Sequence, residues 1–102
     1  MKRIKQIAEL EEYLNSEKEL VILQMSVAFI VTVVEKISKE CYILSVKGDT
    51  YTFPVTQDDL EFMFVLEVED NIDDDLFEKI SKDLKIKFFN NIEKAKNEQN
   101  NN

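Results

Sequence analysis

The chain has 102 residues, of which 44% are hydrophobic and 33% charged, and its formal net charge is −8. This composition is typical of one small globular domain and excludes an intrinsically disordered chain. The sequence contains no histidine, one cysteine and one glycine, which excludes Cys/His metal clusters, histidine-dependent nucleophile pairs and glycine-rich phosphate loops. We therefore expect a protein that is not an enzyme and needs no cofactor.

Cysteine usage and the apolar runs predict a cytoplasmic protein that does not enter a membrane. Cys41 has no second cysteine with which to pair, which is typical of the reducing cytosol. The N-terminus shows no apolar segment followed by a signal-peptide cleavage site. The most apolar stretch, residues 20–34, is shorter than the roughly 20 residues that span a bilayer, so we assign it to the core.

Apolar residues recur at spacings of three and four near the N-terminus. The positions are Ile4, Ile7, Leu10 and Leu14. Because residues at these spacings share one face of an α-helix, they predict an amphipathic helix over residues 2–15.

Two β-rich runs follow, and the second allows two interpretations. Residues 20–25 predict a strand, and residues 29–34 are dense in β-branched side chains that favour another. Between the runs there is no Gly, Pro or Asn. Residues 27–38 are therefore also compatible with a buried helix, since periodicity does not separate the two structures in a continuous apolar run.

Gly48-Asp49 lies between two further β-rich runs and predicts a hairpin with a two-residue loop. The loop pairs Val46 with Tyr51 and places the apolar side chains of the hairpin on one face. The next pairs on this face are Leu44 with Phe53 and Tyr42 with Val55. Pro54 cannot donate a backbone hydrogen bond, so its strand is predicted at an edge of the sheet.

The second half of the chain predicts a turn, a strand and a long helix. Thr56 and Asp59 form a pattern that caps a short turn, and alternation over residues 62–69 predicts a fifth strand. Apolar residues every four positions predict a helix over residues 73–96, with a break into a short strand near residues 86–89 as the alternative. The polar tail, residues 97–102, is predicted to be disordered, which leaves one domain over residues 1–96.

These elements predict an α+β fold. A mainly antiparallel sheet of four or five strands is expected to pack its apolar face against the N-terminal helix and the long C-terminal helix. The hairpin at Gly48-Asp49 belongs to this sheet.

The negative charge is concentrated in the middle of the chain. Between Lys47 and Lys79 there are eleven carboxylates and no basic residue. The helix accounts for four of them, because acids at a helix start complement the positive end of its dipole. These four are Asp73, Asp74, Asp75 and Glu78. The other seven are the candidate partner-binding residues: Asp49, Asp58, Asp59, Glu61, Glu67, Glu69 and Asp70.

We interpret these seven acids as the binding face of a non-catalytic acidic protein-interaction module. Its partner would be a protein with a basic surface, which it could act on as an inhibitor or as a mimic of nucleic acid. The same negative field repels nucleic acid and anionic membranes, so neither is an expected direct partner.

Two alternative functions rest on other residues. A structural or assembly subunit, as a homo-oligomer or a component of a complex, would use apolar surface. The residues that could supply this surface are Phe62, Met63, Phe64, Phe77, Phe88 and Phe89. A divalent-metal site would use Asp70, Asp73 and Asp74, although an EF-hand loop here would place Ile72 where a sharp turn needs glycine.

Overall fold

The computed structural model describes residues 2–69 and 71–100. The described residues form six strands: β1 (Lys2–Arg3), β2 (Leu20–Gln24), β3 (Val27–Ser38), β4 (Cys41–Val46), β5 (Thr52–Thr56) and β6 (Phe64–Glu67). They form one sheet in the order β1-β6-β2-β3-β4-β5, in which each neighbouring pair is antiparallel. The helices are a 3₁₀ helix (Ile7–Tyr13), a short helix α1 (Gln57–Phe62) and a long helix α2 (Asp74–Asn100). The α+β class is confirmed, with six strands in place of the four or five predicted.

Residues 27–38 form a strand and not a helix. β3 spans the whole of this segment, as its β-branched side chains favour. It follows β2 through a two-residue loop, in which Met25 and Ser26 have positive φ angles of 49° and 66°. Two consecutive positive φ angles give the loop the twist that a tight hairpin requires. Neither residue is Gly, Asn or Asp, the types that favour positive φ angles in a hairpin loop, which explains why the sequence allowed two interpretations of this segment.

The hairpin at Gly48-Asp49 has the predicted register. Leu44 pairs with Phe53, and Tyr42 pairs with Val55. Gly48 has a φ of 79°, a conformation that glycine adopts without steric cost. β5 is the last strand of the sheet, so the prediction that Pro54 lies on an edge strand is confirmed.

The predicted N-terminal helix over residues 2–15 is present only in part. Residues Lys2–Arg3 are extended and pair with β6, and only Ile7–Tyr13 is helical, as a 3₁₀ helix. Its apolar residues recur every third position, which suits the three residues per turn of a 3₁₀ helix better than the 3.6 of an α-helix. The buried residues at this spacing are Ile4, Ile7, Leu10 and Tyr13.

The two faces of the sheet are covered by different helices. One face packs against the 3₁₀ helix and α1 through residues such as Leu20, Val65 and Leu10. On the opposite face, α2 packs Leu84 against Val21. The prediction that both helices share one apolar face is therefore corrected. The reason is that β2 and β6 are apolar on both faces, so each face needs its own cover.

The remaining predictions for the second half of the chain differ only at their bounds. The predicted strand over residues 62–69 begins at Phe64, because Phe62 belongs to α1 and is 73% exposed. The predicted helix over residues 73–96 is present as α2. The backbone of residues 97–100, which we assigned to a disordered tail, continues α2, and Asn101 and Asn102 lie outside the described residues.

Candidate functional site

The candidate partner-binding residues divide between the two ends of the sheet. Glu67 ends β6, and Asp49 lies in the loop after β4. The strand register places both residues at the end of the sheet where β2 begins. Glu69 follows Glu67 closely along the chain, and Asp70 lies outside the described residues. The other three candidates are on α1, which follows β5 at the opposite end of the sheet: Asp58, Asp59 and Glu61.

Two of the candidates have local structural roles. Asp59 Oδ2 accepts hydrogen bonds from the backbone N–H and the hydroxyl of Thr56, at 2.8 and 3.0 Å. These bonds confirm the predicted cap and hold the start of α1. Asp49 Oδ1 accepts the backbone N–H groups of Thr50 and Tyr51, at 2.6 and 3.2 Å, and so holds the hairpin loop.

Glu67 and Glu69 are joined by two carboxylates that sequence reasoning missed. Glu17 and Glu19 lie just before β2 and come beside Glu67, because Leu20 pairs with Glu67. The four carboxylates line a cleft of about 470 Å³, which we call the acidic cleft. Its other lining residues are Lys18, Val68, Asn71 and Ile72. The four carboxylates come together only because β2 pairs with β6. Glu17 and Glu19 could therefore have been identified from the sequence only if the strand order had been predicted correctly.

Two of the four carboxylates in the acidic cleft already have cationic partners. Lys18 Nζ lies 3.7 Å from Glu67 Oε1, and Lys47 Nζ lies 3.1 Å from Glu19 Oε2. Glu67 also accepts a hydrogen bond from the hydroxyl of Tyr13. Burial of the Tyr13 ring and the bond to Glu67 raise the pKa of the phenol well above its usual range. In the described part of the chain, no ion pair is formed by Glu17 or Glu69.

Two acids of the 3₁₀ helix are engaged elsewhere and do not contribute to the cleft. Glu11 accepts a hydrogen bond from the hydroxyl of Tyr42 at 2.5 Å and pairs with Lys36 Nζ at 2.7 Å. Both contacts stabilise the ionised form of Glu11 and lower its pKa, and the contact with Lys36 has the larger effect. Glu9 accepts the backbone N–H groups of Gln6 and Lys5, which likewise lower its pKa. These acids stabilise the packing of the 3₁₀ helix.

The cleft combines negative charge with apolar walls. Val68 and Ile72 line it beside the carboxylates. An Arg or Lys side chain matches such a site, because its apolar stem can pack while its charged head meets carboxylate oxygens. Within residues 2–69 and 71–100, no three or more Cys, Asp or Glu side chains are grouped as a metal ion requires. Of the acids considered for a metal, Asp73 caps α2 by accepting the Leu76 N–H at 2.8 Å.

The apolar residues of the assembly alternative are in different environments. Met63 and Phe64 are buried, and Phe77 and Phe88, which belong to α2, are partly buried where the helix packs against the sheet. Phe62 and Phe89 are exposed. They lie on different helices, so these six residues do not form one continuous apolar surface for a partner.

No helix in the described part of the chain has the length and apolarity needed to cross a bilayer. The chain matches no protein-family model, no curated protein and no solved structure.

Proposed function

We propose that the chain is a non-catalytic interaction module that binds a basic protein surface through the acidic cleft. The observation that carries this proposal is the convergence of Glu17, Glu19, Glu67 and Glu69 on one cleft with apolar walls. We place the interaction in the cytoplasm, because the lone cysteine is half-buried and unpaired among the described residues.

The ion pairs formed by two carboxylates of the cleft suggest how a partner would enter. Lys18 and Lys47 are exposed, and each is held at the cleft by one carboxylate. Exposed pairs of this kind contribute about 1 kcal/mol or less, so an incoming cation can replace a lysine at small cost. An arginine is favoured over a lysine because its planar guanidinium bonds carboxylates through two N–H groups at once.

The described acids favour recognition of basic side chains over mimicry of a nucleic acid. A mimic would present carboxylates in extended rows along one face, as phosphates are on a duplex. Asp58 and Glu61 on α1 lie at the end of the sheet opposite the cleft. They therefore do not extend a row of charge that begins at Glu69.

The test is a titration of the chain with a short acetylated peptide of alternating arginine and glycine residues, followed by NMR. We expect backbone shifts at the cleft and affinity that falls steeply with salt. The double variant Glu17→Gln/Glu69→Gln should weaken binding about fivefold. Asp58→Asn/Glu61→Gln removes the same charge at the other end of the sheet and should change binding little. Equal weakening by both variants would show that only net charge matters and would refute the cleft.

An assembly role remains the second candidate, and the exposure of Phe62 favours it. The ring is 73% exposed at the end of α1, and large exposed aromatic side chains often mark interfaces. Sedimentation at low micromolar concentration tests this role. A dimer that Phe62→Ser dissociates would support it, and a monomer at every concentration would refute it for self-assembly.

A further inference from the structure

A second groove, between β1 and α2, has the opposite charge to the acidic cleft. It encloses about 430 Å³. Among the described residues, three basic side chains line it together with two amides and an apolar floor, and none of these lining residues is a carboxylate. The lining residues are Arg3, Lys5, Phe64, Leu66, Leu84, Lys87, Asn90 and Asn91. The chain has a net charge of −8, so a groove lined by basic side chains is unexpected.

Arg3 is held in this groove by the sheet and by an aromatic ring. It pairs with Leu66 across β1 and β6, and its guanidinium carbon lies 4.2 Å from the centroid of the Phe64 ring. The Phe64 ring is itself fixed between the sheet and α2 by an edge contact with Phe88. The guanidinium is therefore positioned before any ligand arrives, which lowers the cost of binding one.

The guanidinium of Arg3 is partly desolvated without a compensating acid. Its Nε is buried and has no hydrogen-bond partner among the described residues. Asp83 lines the adjoining cavity together with Arg3, but no carboxylate described by the structure comes within 4.0 Å of the Arg3 nitrogens. Burial consequently lowers the pKa of Arg3. A buried N–H without an acceptor destabilises the fold. The two Nη groups of Arg3 are not buried in this way, and they are the nitrogens that a ligand in the groove can reach.

Other basic residues of the chain show that ion pairs are available to it. Among the described residues, carboxylates pair with Lys2, Lys18, Lys36 and Lys47, and the other nine of the 13 basic residues have no such pair. Within the described residues, no such pair is formed by Arg3, Lys5 or Lys87. The groove therefore concentrates basic side chains whose charge the fold itself does not neutralise.

We propose that this groove binds an organic anion, in which a carboxylate or phosphate group is carried on an apolar body. The anionic group meets the guanidinium of Arg3 and the ammonium of Lys87, and the amides of Asn90 and Asn91 donate further hydrogen bonds. The apolar body packs on the floor of the groove, which includes the half-buried Leu66. Charge-assisted hydrogen bonds to a guanidinium are among the strongest that proteins form, and apolar floors with a few polar groups are typical of small-molecule sites.

The two sites are separated along α2. Ile72, in the acidic cleft, precedes the start of α2, and Lys87 lies about four turns into the helix, or roughly 20 Å away along its axis. The proposal for the groove therefore does not depend on the function proposed for the cleft. Each site is tested with a ligand of opposite charge.

The test is a calorimetric and NMR titration of the full chain with octanoate and with octyl phosphate. We expect both compounds to shift the amides of Arg3, Phe64 and Lys87, with dissociation constants at least tenfold lower than those of acetate and inorganic phosphate. Octanol should not bind, because it lacks the charge. The tighter of the two amphiphiles identifies the head group that the site prefers. Absence of binding by both, or shifts confined to other parts of the chain, would overturn the proposal.

Variants separate this site from general attraction to a lysine-rich helix. Arg3→Met keeps the apolar contact with Phe64 and should weaken octanoate binding about tenfold. Lys87→Met should weaken it several-fold, whereas Lys79→Met removes the same charge two turns earlier on α2 and should leave it unchanged. If Arg3→Met does not fold, the comparison of Lys87→Met with Lys79→Met decides the matter. Equal effects of these two lysine variants would refute the site, and the arginine peptide should still bind Lys87→Met.

Discussion

The phenol of Tyr13 donates a hydrogen bond to the carboxylate of Glu67, although the two residues lie 54 positions apart in the chain. Tyr13 ends the 3₁₀ helix and is 2% exposed, and Glu67 ends β6. The bond ties the N-terminal segment to the strand beside it. One of the acids assigned to partner binding therefore already has a role in holding the fold.

Removal of the Tyr13 hydroxyl should destabilise the protein. Tyr13→Phe leaves the ring packing in place and should lower the free energy of unfolding by about 2 kcal/mol, as expected for a hydrogen bond to a charged acceptor. Tyr51→Phe is the matched control, because Tyr51 is exposed, and it should change stability by less than about 0.5 kcal/mol. Urea denaturation measures both. Equal stability of the two variants would show that the Glu67 bond contributes nothing net.

Stability should fall in alkaline solution. Burial and Glu67 raise the pKa of Tyr13, and a hydrogen bond to Glu11, followed by burial, raises that of Tyr42. Below the unfolded pKa of about 10 both phenols are protonated in either state, and their contribution is complete. Above it the unfolded chain loses these protons first, so the free energy of unfolding decreases as pH rises. Lys36, whose pKa Glu11 also raises, acts in the same direction.

Tyrosine variants separate the contribution of the phenols to this pH dependence from the contribution of the lysines. Tyr13→Phe and Tyr42→Phe should each have a shallower decrease of unfolding free energy between pH 10 and about 12 than the wild type. Chemical denaturation at a series of pH values measures the slopes. An unchanged slope in both variants would assign the alkaline loss to the lysines alone.

The start of α1 should depend on Asp59 and not on its neighbour Asp58. Asp59→Ala removes the acceptor for both Thr56 donors and should destabilise the protein by about 1 kcal/mol. Asp58→Ala removes the same charge from the first turn of α1 and should cost only a few tenths of a kcal/mol. Thermal melting compares them. A larger loss for Asp58→Ala would contradict the capping assignment.

The hairpin at Gly48 and the helix α2 could be predicted because neighbouring residues in the sequence determine both. Gly48 fixed the hairpin register, because a positive φ angle is required at one position of the loop. The four-residue spacing of apolar side chains located α2. The β2–β3 reversal was predicted only as one of two alternatives, because Met25 and Ser26 adopt positive φ angles although neither is Gly, Asn or Asp.

Features that depend on strand order could not be derived in the same way. The acidic cleft exists because β6 lies beside β2, although 39 residues separate Gln24 from Phe64. The pattern of charges along the sequence does not indicate that β6 pairs with β2. Glu17 and Glu19 were therefore omitted from the candidate site, while α1 carried Asp58 and Glu61 to the other end of the sheet. The Arg3 groove was missed for the same reason, since β1 was predicted as helix.

Gly48 should tolerate asparagine better than alanine. Its φ is 79°, and a Cβ built there meets no atom within 4 Å, so only backbone strain opposes a side chain. Gly48→Ala should destabilise the protein by about 1 kcal/mol. Gly48→Asn should destabilise it less, because asparagine visits the left-handed region more readily. Urea denaturation of the two variants checks the order, and equal losses would show that strain at Gly48 does not govern the hairpin.

α2 docks on the face of the sheet opposite the 3₁₀ helix, and a substitution in this contact is expected to give the largest loss of stability. Leu84 is 2% exposed and packs with Val21 and Phe64, whereas Ile86, two residues later, is 52% exposed. Leu84→Ala should lower the free energy of unfolding by about 3 kcal/mol, through lost burial and the cavity that it leaves. Ile86→Ala removes an apolar side chain of the same size from the same helix and should change stability by less than about 0.5 kcal/mol. Hydrogen exchange should show faster opening along α2 in Leu84→Ala alone. Similar losses for the two variants would mean that α2 docks through a different face, or that the exposed side of the helix is covered in solution.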